Sequence, residues 1–304
     1  MRVAICIMST MFQPSIRNNE AFKETVIKYC NDNADKLKNE YEFFFYYSTR
    51  GFEHMLNDDV YSNTYHLYFN EMESVYCTYE KTCKCLKYVK ENFSPDLYVR
   101  TNISTYININ LLDSVIDQID KNKVYCNKIN NHVNPTSKYF NDVYPRGDFM
   151  IFGERMVDTI LHGSYAFTTY GKLYDSLGVD HVDDCLIGVC MKEWYGSEYY
   201  ELLQNVKYNF IPEIDPDYSS LSKMCIATRL KTVPPGECSG YSWADNEYRL
   251  YDVDKFHKVH DALKDIAYDD IKLNDILYDN MFQVADINIY NLTIEEYKKL
   301  KSGK

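Results

Sequence analysis

The pair Asp183-Asp184, in "VDDCLIGVCMKEW", heads a helical pattern whose apolar face is Leu186, Ile187, Cys190, Met191 and Trp194. Two carboxylates in a first helical turn serve one of two purposes. They cap free N–H groups, Asp183 being a good N-cap, or the helix dipole keeps them ionised and ready to accept a proton. A second stretch of interest is "PDLYVRTNIST", residues 95–105. Leu97, Tyr98 and Val99 read as a buried strand, and Arg100, Thr101, Asn102 and Ser104 follow as a cluster of hydrogen-bonding side chains. Strands of an open α/β sheet end at the ligand, so these four residues are candidates for holding one; Asn102 and Ser104 suit a plain turn equally well. Ser9-Thr10 and Ser48-Thr49-Arg50 end two further apolar runs and would line a nucleotide pocket in the same topology. Gly147-Asp148, in "YPRGDFMIFG", joins a residue that permits close backbone approach to a carboxylate, and also reads as an ordinary turn.

The elements that must position these residues alternate. Strands are predicted over 3–8, 41–49, 97–99, 123–128 and 223–231, and a strand, turn and helix over 146–161. Helices are predicted over 19–37 and 70–93, the second with a stripe of Met72, Val75, Tyr76, Tyr79, Cys83, Leu86 and Val89. "INLLDSVIDQI" is another helix, with Asn110 as its cap, and 253–266 a last one. Residues 51–70 read as an acidic loop, and "VPPGECSG" as a breaker-rich one. Strands alternating with helices predict an α/β fold with a mixed, mostly parallel sheet flanked by helices.

The totals narrow the function classes. A net charge of −12 without a dense Lys/Arg run excludes nucleic acid as the expected partner. Thirty tyrosines among 304 residues fit an A/T-rich gene better than a chemical need for phenols. The ten cysteines form no CxxC pair, which predicts free buried thiols in a reducing compartment and no zinc site. His257 and His260 lack the partners of a zinc site. The apolar opening "MRVAICIMST" is too short to span a bilayer, and no other segment approaches a span, so a cytoplasmic protein is expected.

Three segments taken in order, "YEKTCKCLKYV", "LYVRTNISTYIN" and "YPRGDFMIF…VDDCLIG", resemble the β-1,3-galactosyltransferase and fringe-type glycosyltransferases. That family carries a Lys-Thr pair on a helix, a strand ending KTDDDVFVN, a glycine-containing strand-to-helix segment and an acidic E-D-V-x-x-G helix start. Lys81-Thr82 matches the first, and Arg100-Thr101 with Tyr106, Ile107 and Asn108 matches the second. Gly147 matches the third, and Asp183, Asp184 and Gly188 match the fourth. The resemblance spans roughly residues 60 to 195 and implies a GT-A, Rossmann-like domain over 1–304. Residues to about 110 would form the nucleotide-sugar half, 111–250 the acceptor and catalytic half, and 251–304 a helical C-terminal portion. It implies transfer of a hexosyl or pentosyl group from a nucleoside-diphosphate sugar, UDP-sugars foremost, to a hydroxyl of a glycan or glycoconjugate with inversion. By the same resemblance Asp184 is the base and Asp183 its neighbour that caps or orients. Gly147 and Asp148 would lie by the sugar, and Ser9, Thr10, Lys81, Arg100, Thr101, Asn102 and Ser104 by the donor.

One departure stands out. Where the family has three aspartates that hold a divalent metal, Mn or Mg, this chain has Asn102, Ile103 and Ser104. Hard cations prefer anionic oxygen, so the expectation is a metal-independent enzyme. Arg100, Lys81, Arg229 and Lys231 are then available to carry the diphosphate. The missing carboxylates also fit a non-catalytic binding module of the same fold. A nucleotidyltransferase would want a glycine-rich loop after the first strand, and "STMFQPSIRNNE" has no glycine. Without an anchor or stem, a bacterial or viral enzyme acting in the cytoplasm is expected.

Overall fold

The computed structural model describes residues 1–49, 54–56, 60–70, 78–132, 139, 142–169, 183–233 and 247–278. Strand β1 (Arg2–Met8) has alternate side chains on two apolar layers. Val3, Ile5 and Ile7 join one cluster, Ala4 and Cys6 the other. A strand buried on both faces has to be apolar throughout, which is why "VAICI" carries no polar residue. It lies parallel to both β2 (Glu40–Ser48) and β5 (Leu97–Asn102), with Met8 opposite Tyr46 and Asn102. The three strands therefore finish together at one edge.

Five more strands complete the sheet: β3 (His54–Leu56), β4 (Thr64–Phe69), β7 (Val124–Cys126), β10 (Phe149–Phe152) and β11 (Leu203–Asn205). Their order is β11-β7-β10-β5-β1-β2-β4-β3. β10 runs antiparallel between β5 and β7, with Phe149 opposite Thr101. That reversal matters for the site, because the residues that enter β10, Gly147 and Asp148, arrive where β5 ends. A small sheet joins β6 (Thr105–Ile107), β12 (Tyr208–Phe210) and β13 (Ala227–Arg229), with Arg229 opposite Thr105. β8 (Ile129–Asn131) and β9 (Val143–Pro145) form a separate pair.

Helices Thr78–Phe93, Glu154–Thr169 and Asp183–Tyr195 contribute Tyr79, Leu86, Val157 and Ile187 to one apolar layer. On the other face Phe22, Val26 and Phe256 pack beneath Phe43 and Phe45. This is the mixed α/β architecture predicted, a mostly parallel sheet with helices on both sides.

Several local expectations are corrected. Residues 51–70 are not all loop: they hold β3 and β4. "TYHLYF" hid its strand because only Thr64, Leu67 and Phe69 are buried, a pattern without clean alternation. The first helix begins at Gln13 with Pro14 in its first turn, then passes through a π-turn at Lys23–Ile27. The helix Ile109–Val115 is capped by Asn108, whose Oδ1 accepts from the Leu111 N–H at 3.3 Å, and not by Asn110. The strand predicted over 223–231 contracts to β13, and the late helix runs Tyr251–Leu263. Arg50, the 71–77 part of the long helix and "VPPGECSG" lie outside the described residues. Trp194 is half exposed against His162 rather than core. The eight described cysteines are free and buried. Among the described residues no helix is long and apolar enough to cross a membrane.

Gly188 sets how closely the Asp183–Tyr195 helix approaches β9. A Cβ there would overlap the Tyr144 side chain and sit 3.0 Å from its Cα. Gly188→Ala must push the helix off the strand. It should destabilise the fold by about 1–3 kcal/mol, the usual range for overpacking, read as a lowered urea midpoint.

Candidate functional site

At the C-terminal end of β5 the quoted segments meet. The Arg100 side chain is fully buried, and its Nη2 pairs with the Asp183 carboxylate. Asp183 Oδ2 also accepts from the Thr82 hydroxyl at 3.1 Å, and Thr82 in turn lies 3.1 Å from the Tyr46 hydroxyl. Lys81, beside Thr82, is equally buried and donates from Nζ to the Ser9 carbonyl at 3.0 Å. Burial works against the charge of Arg100, yet Asp183, Tyr46 and Asp184 more than offset it, and the guanidinium is held charged.

Asp184, the next residue, differs from Asp183. It is only partly buried. Its Oδ2 accepts the Gly147 N–H at 3.0 Å and its Oδ1 the Cys185 N–H at 2.9 Å. Burial, then the neighbouring Asp183 charge, pushes the carboxyl up to about 6, against the pull of those N–H groups and Arg100. Gly147 owes its identity to the same place: a Cβ would meet Arg100 Nη1 at 2.8 Å and Asp184 Cβ at 3.2 Å.

On the other side of Gly147 lies a bank of cations. Asp148 is buried between Arg146 Nε at 2.8 Å and Arg229 Nη1 at 3.2 Å. Desolvation opposes its charge, but Arg229, Arg146 and Lys231 hold the carboxyl well below the usual range. Asn102 Oδ1 accepts from the Ser104 N–H and the Thr105 hydroxyl, each at 3.2 Å, and from Arg229. The Ser104 hydroxyl accepts from Arg249, whose Nε pairs with Asp252 at 2.7 Å. Burial, Arg229 and Arg249 push the Lys231 ammonium down to about 7. Burial, outweighing Asp148, together with Arg249 and Arg146 lowers Arg229 to about 10.

The remaining predicted residues fall along the same edge. Ser9 donates to Asn19 at 2.9 Å, Thr10 to Ser15 at 2.8 Å, and Thr101 to the Asp148 carbonyl at 2.9 Å. Arg100 and Lys81, expected against a diphosphate, are instead inside: their charges are met by Asp183 and the Ser9 carbonyl. Arg146 and Arg249 were missed. Arg146 had a signal, standing next to Gly147, whereas "NEYRLYD" reads as a surface turn and gave none for Arg249. A cleft of about 830 Å³ lies at the opposite ends of the strands, lined among others by Asp113, His260 and Lys264, and contains none of the predicted residues.

Among the described residues, the donors at the end of β5 do not suit a divalent metal. Asn102 and Ser104 offer neutral oxygens already accepting from two guanidiniums, Asp148 is held between two arginines, and hard cations want anionic ligands. Among the described residues no three His, Cys, Asp or Glu side chains converge on a point that could hold an ion.

Neither a protein-family model nor a curated protein matches the chain. Among solved structures it is similar to a glycosyltransferase involved in the glycosylation of the major capsid of PBCV-1. The identity is 9% and the TM-score 0.43, over 84% of this chain and 99% of that one. It is also similar to the galactosyltransferase LgtC in complex with donor and acceptor sugar analogues, at 10% identity and TM-score 0.44, over 88% and 97%. Likenesses this distant assign no family.

Removing one partner of a buried ion pair leaves the other charge uncompensated. Arg100→Met should cost about 3–5 kcal/mol, and Arg100→Met with Asp183→Asn should recover much of it. Chemical denaturation of the single and double variants measures both.

Proposed function

We propose that the chain is a GT-A glycosyltransferase that moves a sugar from a nucleoside-diphosphate sugar to a hydroxyl of a glycan or glycoconjugate, with inversion. The observation that carries this reading is Asp184: a partly buried carboxylate of raised pKa, held by the Gly147 N–H, one residue along the chain from the cations around Asp148. The motif resemblance supports it further, since Thr82, Arg100 and Asp183 come from three of the matched segments and Asp183 contacts both of the others.

In this mechanism the acceptor hydroxyl oxygen attacks the anomeric carbon and forms the new glycosidic bond. The bond from that carbon to the β-phosphate oxygen breaks, and its electron pair leaves with the nucleoside diphosphate. The acceptor proton passes to Asp184. A carboxyl near pKa 6 is a stronger base than a free aspartate yet still ionised at neutral pH. Asp183 takes no proton; paired to Arg100, it fixes the helix start from which Asp184 projects. Arg100 and Lys81 are thus positioning residues beneath the site. Ser9, Thr10, Thr101, Asn102 and Ser104 form the donor edge, and Gly147 and Asp148 the wall between donor and acceptor.

Asp184→Asn should lower turnover about 10²–10⁴-fold without loss of donor binding, measured with a panel of UDP- and other nucleotide sugars. In the parent protein kcat/KM should fall with decreasing pH below about 6, because protonated Asp184 cannot accept the proton. Unchanged turnover in Asp184→Asn would remove the base assignment. A parent protein that binds sugar nucleotides but turns none over is a binding module of this fold.

A further inference from the structure

A departing nucleoside diphosphate needs positive charge, and the family this chain resembles supplies it with an ion held by aspartates. Here the same strand end is built the other way round. The chain positions 102 and 104 carry an amide and a hydroxyl, and what each accepts is a guanidinium: Arg229 on Asn102, Arg249 on Ser104. The cations outnumber their carboxylates. Among the described residues, Arg146, Arg229, Lys231 and Arg249 face Asp148 and Asp252, with Asp184 acting on Arg146 as well. Two of the donors in this group are unused. Arg229 Nε is buried without a hydrogen-bond partner, and Lys231, partly exposed, makes no hydrogen bond or ion pair to any described residue. Buried N–H groups are almost always partnered, and an unpartnered guanidinium N–H beside an unpaired ammonium, with further arginines around them, is a site for an anion with several oxygens.

We propose that Arg229, Lys231 and Arg249 bind the diphosphate of the donor and of the leaving nucleotide directly, in place of a divalent metal. This rests on the transferase reading for its biological meaning, but the anion site is independent of it. Arg229 is set by β13 pairing with β6, and Arg249 by its link to Asp252, so the charge stands in place before the ligand arrives. Lys231 makes the site sensitive to pH. Burial first, then Arg229, Arg249 and Arg146, lower its proton affinity, and Asp148 is the carboxylate that opposes them. An arriving diphosphate reverses that balance and raises the pKa of Lys231. Binding above pH 7 therefore takes up a proton, and affinity falls as pH rises.

The test is calorimetric titration of the whole protein with inorganic pyrophosphate and with UDP, in EDTA and in Mn²⁺. Affinity in EDTA should lie within about three-fold of that in Mn²⁺ for the protein-bound diphosphate, and about ten-fold lower in Lys231→Met. At pH 8, two buffers of different ionisation enthalpy should report proton uptake in the parent protein. Lys231→Arg, permanently charged, should keep the affinity and lose the uptake. Binding that vanishes in EDTA and returns with Mn²⁺, or Lys231→Met binding like the parent, overturns the proposal. Sugar transfer that requires Mn²⁺ overturns it while leaving the transferase reading intact. Metal-free pyrophosphate binding with no transfer from any donor does the reverse: it supports the anion site and removes the transferase.

Discussion

The pairing of Arg100 with Asp183 is the constraint on which the rest of the site depends. It joins the end of a central strand to the first turn of a helix far along the chain, with both side chains buried. Such a pair breaks even only when further hydrogen bonds satisfy both ions. Thr82 supplies one to Asp183 and is itself met by Tyr46; Arg100 keeps Nε and Nη1 without a partner, and the fields of Asp183, Tyr46 and Asp184 hold it charged. The consequence is positional. With residue 183 anchored beneath the sheet edge, residue 184 of the same helical turn emerges at it, and the two adjacent aspartates divide into one that is spent and one that is available.

The loop 146–148 turns that anchor into a two-sided site. Gly147 offers its N–H to Asp184 on one side, while its neighbours on the other, Arg146 and Asp148, belong to the cation bank. Across this short span the titrating groups are pushed in opposite directions, Asp184 upward by burial and Lys231 downward by burial and like charges. Opposed shifts of this kind separate a proton-accepting role from a charge-holding one. The space for them exists because residue 147 has no side chain: any Cβ would press on Arg100 and Asp184 together.

The sequence made the framework legible where one face or one period dominated. The apolar run of β1 and the three-and-four spacing of Tyr79, Cys83, Leu86 and Val89 identify a buried strand and its covering helix directly, because burial alone dictates those patterns. β4 was lost since Tyr65, His66 and Tyr68 are partly exposed and break the alternation. In the candidate site, Asp183, Asp184, Gly147 and the end of β5 could be read because they are contiguous motifs. Arg249 could not. Its role is set by a contact with Ser104 across a long stretch of chain, and nothing in its local sequence distinguishes it from a surface arginine. Arg100 was legible as a cation but not as a buried one, because whether a strand-end guanidinium points out or in depends on a partner that only the fold reveals.

The amide and hydroxyl at 102 and 104 follow from electrostatics once the arginines are in view. Carboxylates at both positions would add two negative charges beside Asp148 and Asp252, and the positive field of the arginines would be largely cancelled. Neutral acceptors hold the same guanidiniums by hydrogen bonds and leave their charge uncancelled. That residue matters more in a chain whose formal net charge is −12, because an anion approaching such a surface is repelled except where a fixed positive cluster outweighs the background. Neutral residues at this strand end therefore go together with the arginines opposite it: acids at 102 and 104 beside Arg229 and Arg249 would yield internal salt bridges and leave no charge for an anion.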